Sequence, residues 1–275
     1  MGQAGVCVAD TMISVIIPVG DGRLNNLRCV MKSLEWQTEQ DFEVIISSDG
    51  SDDFAEFETD RVIWVRNHSE TMNLGAVNRN RAVEHAGGDC LVFIDSDVVL
   101  EKHVLEYFAE DFLNFPNRGV AGLYDWLPPQ PVKPEILEAE WESIIKGDFF
   151  PAPPPYEHNV GGDGRAKVFE SVDQDQMFLS YPTCLNLLSG NMMISRFLFE
   201  VAGGFAEDMT NGIDGEFSLR LLRLGFSMSM DKRIRGYHLY HKRTMNSSWQ
   251  DPRPILKERY HSDNSWIGQM KSFGR

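Results

Sequence analysis

Cys90-Leu91-Val92-Phe93-Ile94-Asp95-Ser96-Asp97 is an apolar run that ends in two carboxylates one residue apart. Strand residues i and i+2 point the same way, so Asp95 and Asp97 can converge on one face at the carboxyl end of a buried strand, where open α/β sheets place their ligands. Carboxylate oxygens in this arrangement suit Mg2+ or Mn2+, ions that complete their shells with substrate phosphates. Alone, the tripeptide reads better as an Asp-Ser-Asp turn, because both residue types are common in turns and helix N-caps. The flanking sequence decides between the two.

Upstream, Ile13 to Val19 reads as a buried first strand, and Leu24 to Trp36 carries Leu27, Val30, Met31 and Leu34 at helical spacing. A second strand, Phe42 to Ser47, ends in Ser48-Asp49-Gly50-Ser51-Asp52-Asp53; a third, Val62 to Val65, leads to Asn73-Leu74-Gly75-Ala76-Val77-Asn78-Arg79-Asn80, which opens a helix running to about His85. This alternation, with polar or acidic residues at successive strand ends, resembles the nucleotide-binding half of family 2 glycosyltransferases. The resemblance covers most of residues 12–105 and resumes at about 187–241. It implies the GT-A fold: α/β, with a mixed, mostly parallel central sheet flanked by helices.

In the second stretch, Leu188-Ser189-Gly190-Asn191-Met192-Met193-Ile194 reads as another strand, followed by a short helix and the turn Gly203-Gly204-Phe205. Ile213-Asp214-Gly215-Glu216 then opens a helix ended by Gly225, similar to the family's acidic helix start. The resemblance gives Asp214 the role of catalytic base. Relatives often carry Glu-Asp here, and this chain has Ile213-Asp214. Glu216 does not simply replace the missing acid, since two residues turn an ideal helix by about 200°. Read without the resemblance, Asp214 is a carboxylate favoured by the helix dipole.

The remaining site residues follow from the same resemblance. Asp97 is expected to hold the metal, with Asp95 touching the ribose, the metal or its water. In Tyr237-His238-Leu239-Tyr240-His241 a histidine completes the metal shell; an extended chain would turn His238 and His241 to opposite sides, so one of them ligates, and His238 is the choice with His241 the alternative. Asp49 inherits the hydrogen bonding of the nucleobase, although relatives read Asp-Asp-Gly-Ser where this chain has Ser48-Asp49-Gly50-Ser51. Pro18, Arg79 and Asn80 join Asp49 and Asp95 as donor-binding residues. Arg79 has a competing use as the partner of Asp49 or Asp95.

At 275 residues the chain is long enough for one α/β domain with a substantial core. It divides into a nucleotide-sugar half (12–105), an acceptor-side insertion (125–180), an acceptor and catalytic half (187–241) and a basic tail (242–275). The insertion holds eight prolines between Pro128 and Pro155, bracketing a helical stretch from Pro134 to Ile145. Its aromatics, Trp126, Trp141, Phe149, Phe150 and Tyr156, either stack on a sugar or pin the insertion to the body. Cys7, Cys29, Cys90 and Cys184 lack metal-ligand spacing and read as reduced thiols. Met1 to Thr11 has neither the basic start nor the apolar core of a signal peptide, and no run is long enough to span a bilayer. The expected setting is cytoplasmic, or peripheral to a membrane.

A formal net charge of −15 argues against general affinity for nucleic acid or anionic membrane. Residues 218–275 run the other way, with 12 Lys and Arg against 4 Asp and Glu, a surface able to meet a diphosphate or an anionic acceptor.

The function implied is transfer of a sugar from a nucleotide-diphosphate sugar, with UDP the expected nucleotide, to an acceptor hydroxyl, with Mn2+ or Mg2+ and inversion at the anomeric carbon. The acceptor stays open among glycan, lipid-linked sugar, protein and modified nucleic acid base. A dehydrogenase would need a third glycine that Gly20-Asp21-Gly22-Arg23-Leu24-Asn25 lacks. A nucleotidyltransferase would need a glycine- and lysine-rich loop after the first strand. A binding or hydrolytic protein of the same fold is the remaining alternative, and the joint presence of Asp95, Asp97 and Asp214 weighs toward transfer.

Overall fold

The computed structural model describes residues 12–50, 52–67, 74–127, 132–146, 164–169, 174–179, 187–241 and 251–260. Four parallel strands, β1 (Ile13–Val19), β2 (Phe42–Ser48), β3 (Val62–Arg66) and β4 (Cys90–Ile94), form one side of a sheet in the order β3-β2-β1-β4. Beyond β4 the sheet continues through antiparallel β8 (Asn191–Ser195) to β6 (Arg118–Trp126) and β9 (Ser227–His238), which are parallel to each other. Short β5 (Val98–Leu100) and β7 (Gln176–Leu179) both pair antiparallel with β9. The sheet is mixed and mostly parallel.

Both faces are covered, which is why the central strands β1 and β4 are mostly apolar rather than alternating. Val15, Ile17, Val92 and Ile94 pack against Leu27, Val30 and Leu34 of α1 (Leu24–Glu35) and Val104, Leu105 and Phe108 of α3 (Val104–Asn114). Their strand neighbours Ile16, Ile45, Leu91 and Phe93 face the other way. They meet Ala82 and Val83 of α2 (Leu74–His85), Leu198 and Phe199 of α6 (Arg196–Ala202), and Phe217 and Leu221 of α7 (Ile213–Arg223).

The path from β4 to β5 positions the site. After Ile94 the chain makes a tight turn, Val98 N–H donating to the Asp95 carbonyl at 3.0 Å, and β5 then pairs with the end of β9 so that Val98 lies opposite His238. The Asp-Ser-Asp segment therefore bridges the middle of the sheet to its far side.

The helical stretch from Pro134 is two helices, α4 (Pro134–Ala139) and α5 (Trp141–Lys146), separated at Glu140. Trp141 packs on Trp36 and Tyr237, with ring centroids 5.3 and 5.2 Å apart. This aromatic pins the insertion to the body. Phe149, Phe150 and Tyr156 lie outside the described residues.

Part of the basic tail is structural. In α8 (Pro252–Arg259) Leu256 packs with Met209 and Leu219, while Glu216 of α7 accepts hydrogen bonds from Tyr260 Oη at 2.6 Å and from Arg220 at 2.6 and 3.2 Å. Arg259 lies 3.4 Å from Glu216 and also pairs with Asp208. Residues 242–250 and 261–275 lie outside the described residues. Among the described residues no helix is long and apolar enough to cross a membrane.

Candidate active site

The carboxyl edge of the sheet collects the acidic residues that the sequence marks out. Asp49 follows β2, Asp95 and Asp97 follow β4, His238 ends β9, and Asp214 stands in the first turn of α7. Gly212, at φ 73°, turns the chain into that helix in a conformation L side chains rarely adopt.

Asp97, His238 and His241 form a cluster in which one potential ligand atom from each residue lies within 4.8 Å of the others. His238 Nε2 is 3.4 Å from Asp97 Oδ1, and His241 Nε2 is 3.0 Å from Asp97 Oδ2. The extended-chain expectation that one histidine would face away does not hold: the strand stops at His238, and Leu239 N–H donates to the Asp97 carbonyl at 2.7 Å, which brings His241 back to the same carboxylate.

The ring nitrogens of His238 can be assigned from their partners. Nδ1 lies 2.9 Å from the Leu239 carbonyl, which can only accept, so Nδ1 carries the proton and Nε2 is left with its lone pair. Burial lowers the His238 pKa, outweighing the pull of Asp97, which favours the neutral ring. For Asp97, burial pushes the pKa up, but the hydrogen bond from His241 and the charges of His238, His241 and Arg23 bring it below the usual carboxylate value. A divalent cation between them would meet both the Asp97 carboxylate and the Nε2 lone pair that a neutral His238 presents. One carboxylate and two imidazoles fit such an ion.

Asp95 is not part of that triad. Its Oδ1 is taken by Arg79, which answers which carboxylate the arginine serves, and Arg79 is further held by the Gly75 carbonyl at 2.9 Å. Burial raises the Asp95 pKa to about 6, opposed by Arg79 and reinforced by Asp97 and Asp214. Asp97 and Asp214 therefore both lie close enough to Asp95 to act on it.

At the end of β2, Asp49 is hydrogen-bonded to Asn78, and its Oδ2 is buried without a partner. Burial raises its pKa. Asn78 also accepts from Asn67 at 2.6 Å, and Asn67 reaches Ser47 at 2.7 Å. Pro18, half-buried, sits opposite Ser47 at the same edge. Asn80 does not join this group. Its amide donates to the Phe205 carbonyl and to Glu207, both at 2.9 Å, and its Oδ1 accepts from Phe205 N–H at 2.9 Å, so it clasps the 203–207 turn. A step of two residues along α2 turns the side chain by about 200°, which is why Asn78 faces Asp49 and Asn80 faces elsewhere.

Ser189 and Asn78 were not singled out from sequence, and Trp126 has a partner that the sequence did not show. Trp126, weighed above as a sugar-stacking residue, lies face to face with His238, ring centroids 3.9 Å apart at 32°. Ser189 Oγ donates to Asp214 Oδ1 at 2.5 Å. Asn78 carried a local signal, its place one turn into a helix beside Arg79; Ser189 carried none, because its partner is 25 residues away.

The sheet order and the carboxylates at its edge define a GT-A fold, and solved structures share it. A structure of GalNAc-T7 with UDP, GalNAc and Mn2+ superposes with a TM-score of 0.59 at 14% identity, covering 87% of this chain and 45% of that one. S. aureus TarS 1-349 gives 0.57 at 16% identity, covering 83% and 60%. The model of glycosyl transferase family 2 matches residues 14–200, and the chain belongs to that family. Among curated relatives, the uncharacterized glycosyltransferase RC0461 of Rickettsia conorii is 36% identical over 152 residues, 52% of this chain and 23% of the relative. The uncharacterized glycosyltransferase YfnE of Bacillus subtilis is 28% identical over 116 residues, 40% of this chain and 29% of the relative. The chain thus spans under a third of the length of these relatives.

Proposed function

We propose that the protein transfers a sugar from a nucleotide-diphosphate sugar, with UDP as the nucleotide, to an acceptor hydroxyl, inverting the anomeric carbon with the help of a divalent ion. The observation that carries this reading is the convergence of His238 and His241 on the Asp97 carboxylate, next to Asp95 and Asp214. Asp97, His238 and His241 would hold the ion; two imidazoles are poor ligands for Mg2+ and weigh toward Mn2+. When bound, the ion neutralises charge that develops on the departing diphosphate.

The chain's own groups do the rest. Asp49 Oδ2, buried and unpartnered, accepts from a nucleobase N–H, a match for the imino proton of uracil. Arg79 fixes the Asp95 carboxylate toward the ribose and leaves the diphosphate to others. Asp214, at the mouth of α7, takes the proton of the attacking hydroxyl.

The test is Asp214→Asn, assayed with a panel of UDP-sugars and Mn2+. Turnover should fall roughly 10^2- to 10^4-fold, the span of a general base, while the affinity for UDP in Mn2+, read by calorimetry, stays the same. Wild-type turnover in the variant would remove Asp214 from the chemistry.

A further inference from the structure

Ser189 and Gly190 stand side by side where the chain enters β8, and each engages a different carboxylate. Ser189 is 1% exposed, and its hydroxyl donates to Asp214 Oδ1 at 2.5 Å. Gly190 accepts the Asp95 N–H at 3.2 Å through its carbonyl. A Cβ on Gly190 would stand 2.5 Å from Asp95 Oδ2 and 2.8 Å from its carboxyl carbon, so a side chain there would displace Asp95. Asn191, next along, donates to the Leu123 carbonyl at 3.1 Å and anchors the dipeptide to the neighbouring strand β6.

We infer that Ser189 is a positioning residue for the reaction: it holds the Asp214 carboxylate by one oxygen and leaves the other to face the acceptor. This rests on Asp214 being the base. An ionised carboxylate is acceptor-only, so the hydroxyl must be the donor, and its single proton is committed to Oδ1. Asp214 is half-buried at a helix start, where an unrestrained side chain would sample several rotamers. One short hydrogen bond from a buried, strand-anchored partner selects among them, and catalysis is sensitive to displacements of that size. The same dipeptide thereby fixes the spacing between the donor-side carboxylate Asp95 and the acceptor-side carboxylate Asp214.

The experiment is a double-mutant cycle on the full chain with Ser189→Ala, Asp214→Asn and the two combined. Turnover is measured as Mn2+-dependent hydrolysis of UDP-glucose, UDP-galactose, UDP-GlcNAc and UDP-GalNAc, and UDP affinity by calorimetry. Ser189→Ala should lower turnover about tenfold with UDP affinity and melting temperature unchanged, the worth of one well-aligned hydrogen bond. In the Asp214→Asn background the same change should do nothing further, because a residue that acts through another is silent once its partner is gone. A tenfold loss that persists in that background, or no loss in the wild-type background, overturns the positioning role. If Asp214→Asn itself leaves turnover intact, the base assignment fails first, and with it this inference; the single variants keep the two failures apart.

Discussion

Glu216 and Asp97 are both buried carboxylates, 1% and 7% exposed, and their surroundings differ in kind. Glu216 is enclosed by Arg220, Arg259 and the Tyr260 hydroxyl, permanent cations and a neutral donor that meet both of its oxygens. Asp97 has two imidazoles, His238 and His241, whose charge changes with protonation. The first carboxylate is finished by the protein. The second is met by titratable rings that could also bind a cation. A buried carboxylate whose oxygens are both closed off by fixed partners offers a ligand little, whereas one met by imidazoles can still bind a cation. The cleft of about 580 Å³ beside Glu216, lined by Asn80, Glu207, Asp208, Arg220, Arg259 and Tyr260, follows the same rule, since its charged walls already pair with each other.

The contrast is broken most directly at Asp97. Asp97→Ala should weaken Mn2+-dependent UDP binding by at least about 100-fold, since a metal ligand matters more than the outer partners whose loss costs 10- to 100-fold. Stability without metal should not fall, because the desolvation of that carboxylate disappears with it. Calorimetry and thermal unfolding in EDTA read the two halves of the claim. Retained Mn2+-dependent affinity would mean that the triad holds no ion.

Glu216→Gln sharpens the comparison from the other side. Removing one charge from an enclosed cluster leaves Arg220 and Arg259 underpaired, at a cost of about 2–3 kcal/mol. For a domain of this size that corresponds to roughly 5–10 °C in melting temperature. UDP affinity in Mn2+ should be unmoved. A variant that keeps its stability but loses nucleotide binding would place Glu216 in the site and dissolve the distinction.

The amino-terminal half was legible because its signals are local. Strands β1 to β4 are mostly apolar runs, α1 shows its buried stripe at 3.6-residue spacing, and polar residues close most of the strands. Pairing between distant segments carries no such signal. The short β5 joins β9 across the turn, and β6 lies between β8 and β9 far from its sequence neighbours, so neither could be read as a strand of this sheet from composition. The site divides in the same way. Asp95, Asp97 and Asp214 were readable from strand ends and a helix start, whereas the return of His241 depends on one backbone hydrogen bond between Leu239 and Asp97. Arg79 and Asn80 were grouped because they are adjacent in sequence, and the helix separates them: one meets Asp95, the other the turn at Phe205.

The smallest expected effect lies at Trp126, where the question is what holds the imidazole in place. The indole faces His238 at a centroid distance of 3.9 Å, Tyr124 stands 5.8 Å from the same ring, and the Leu239 carbonyl fixes its tautomer. Such stacking is worth about 0.5–1.5 kcal/mol beyond burial, so Trp126→Leu, which keeps the apolar bulk, should weaken Mn2+ affinity by roughly 2- to 10-fold. The loss should appear with Mn2+ and UDP alone and should not depend on which sugar the nucleotide carries. A variant with normal Mn2+ and UDP affinity but reduced affinity for UDP-sugars would reassign the indole to the sugar. Trp126 would then belong to the donor pocket, and the ordering of His238 would rest on the backbone carbonyl and Tyr124.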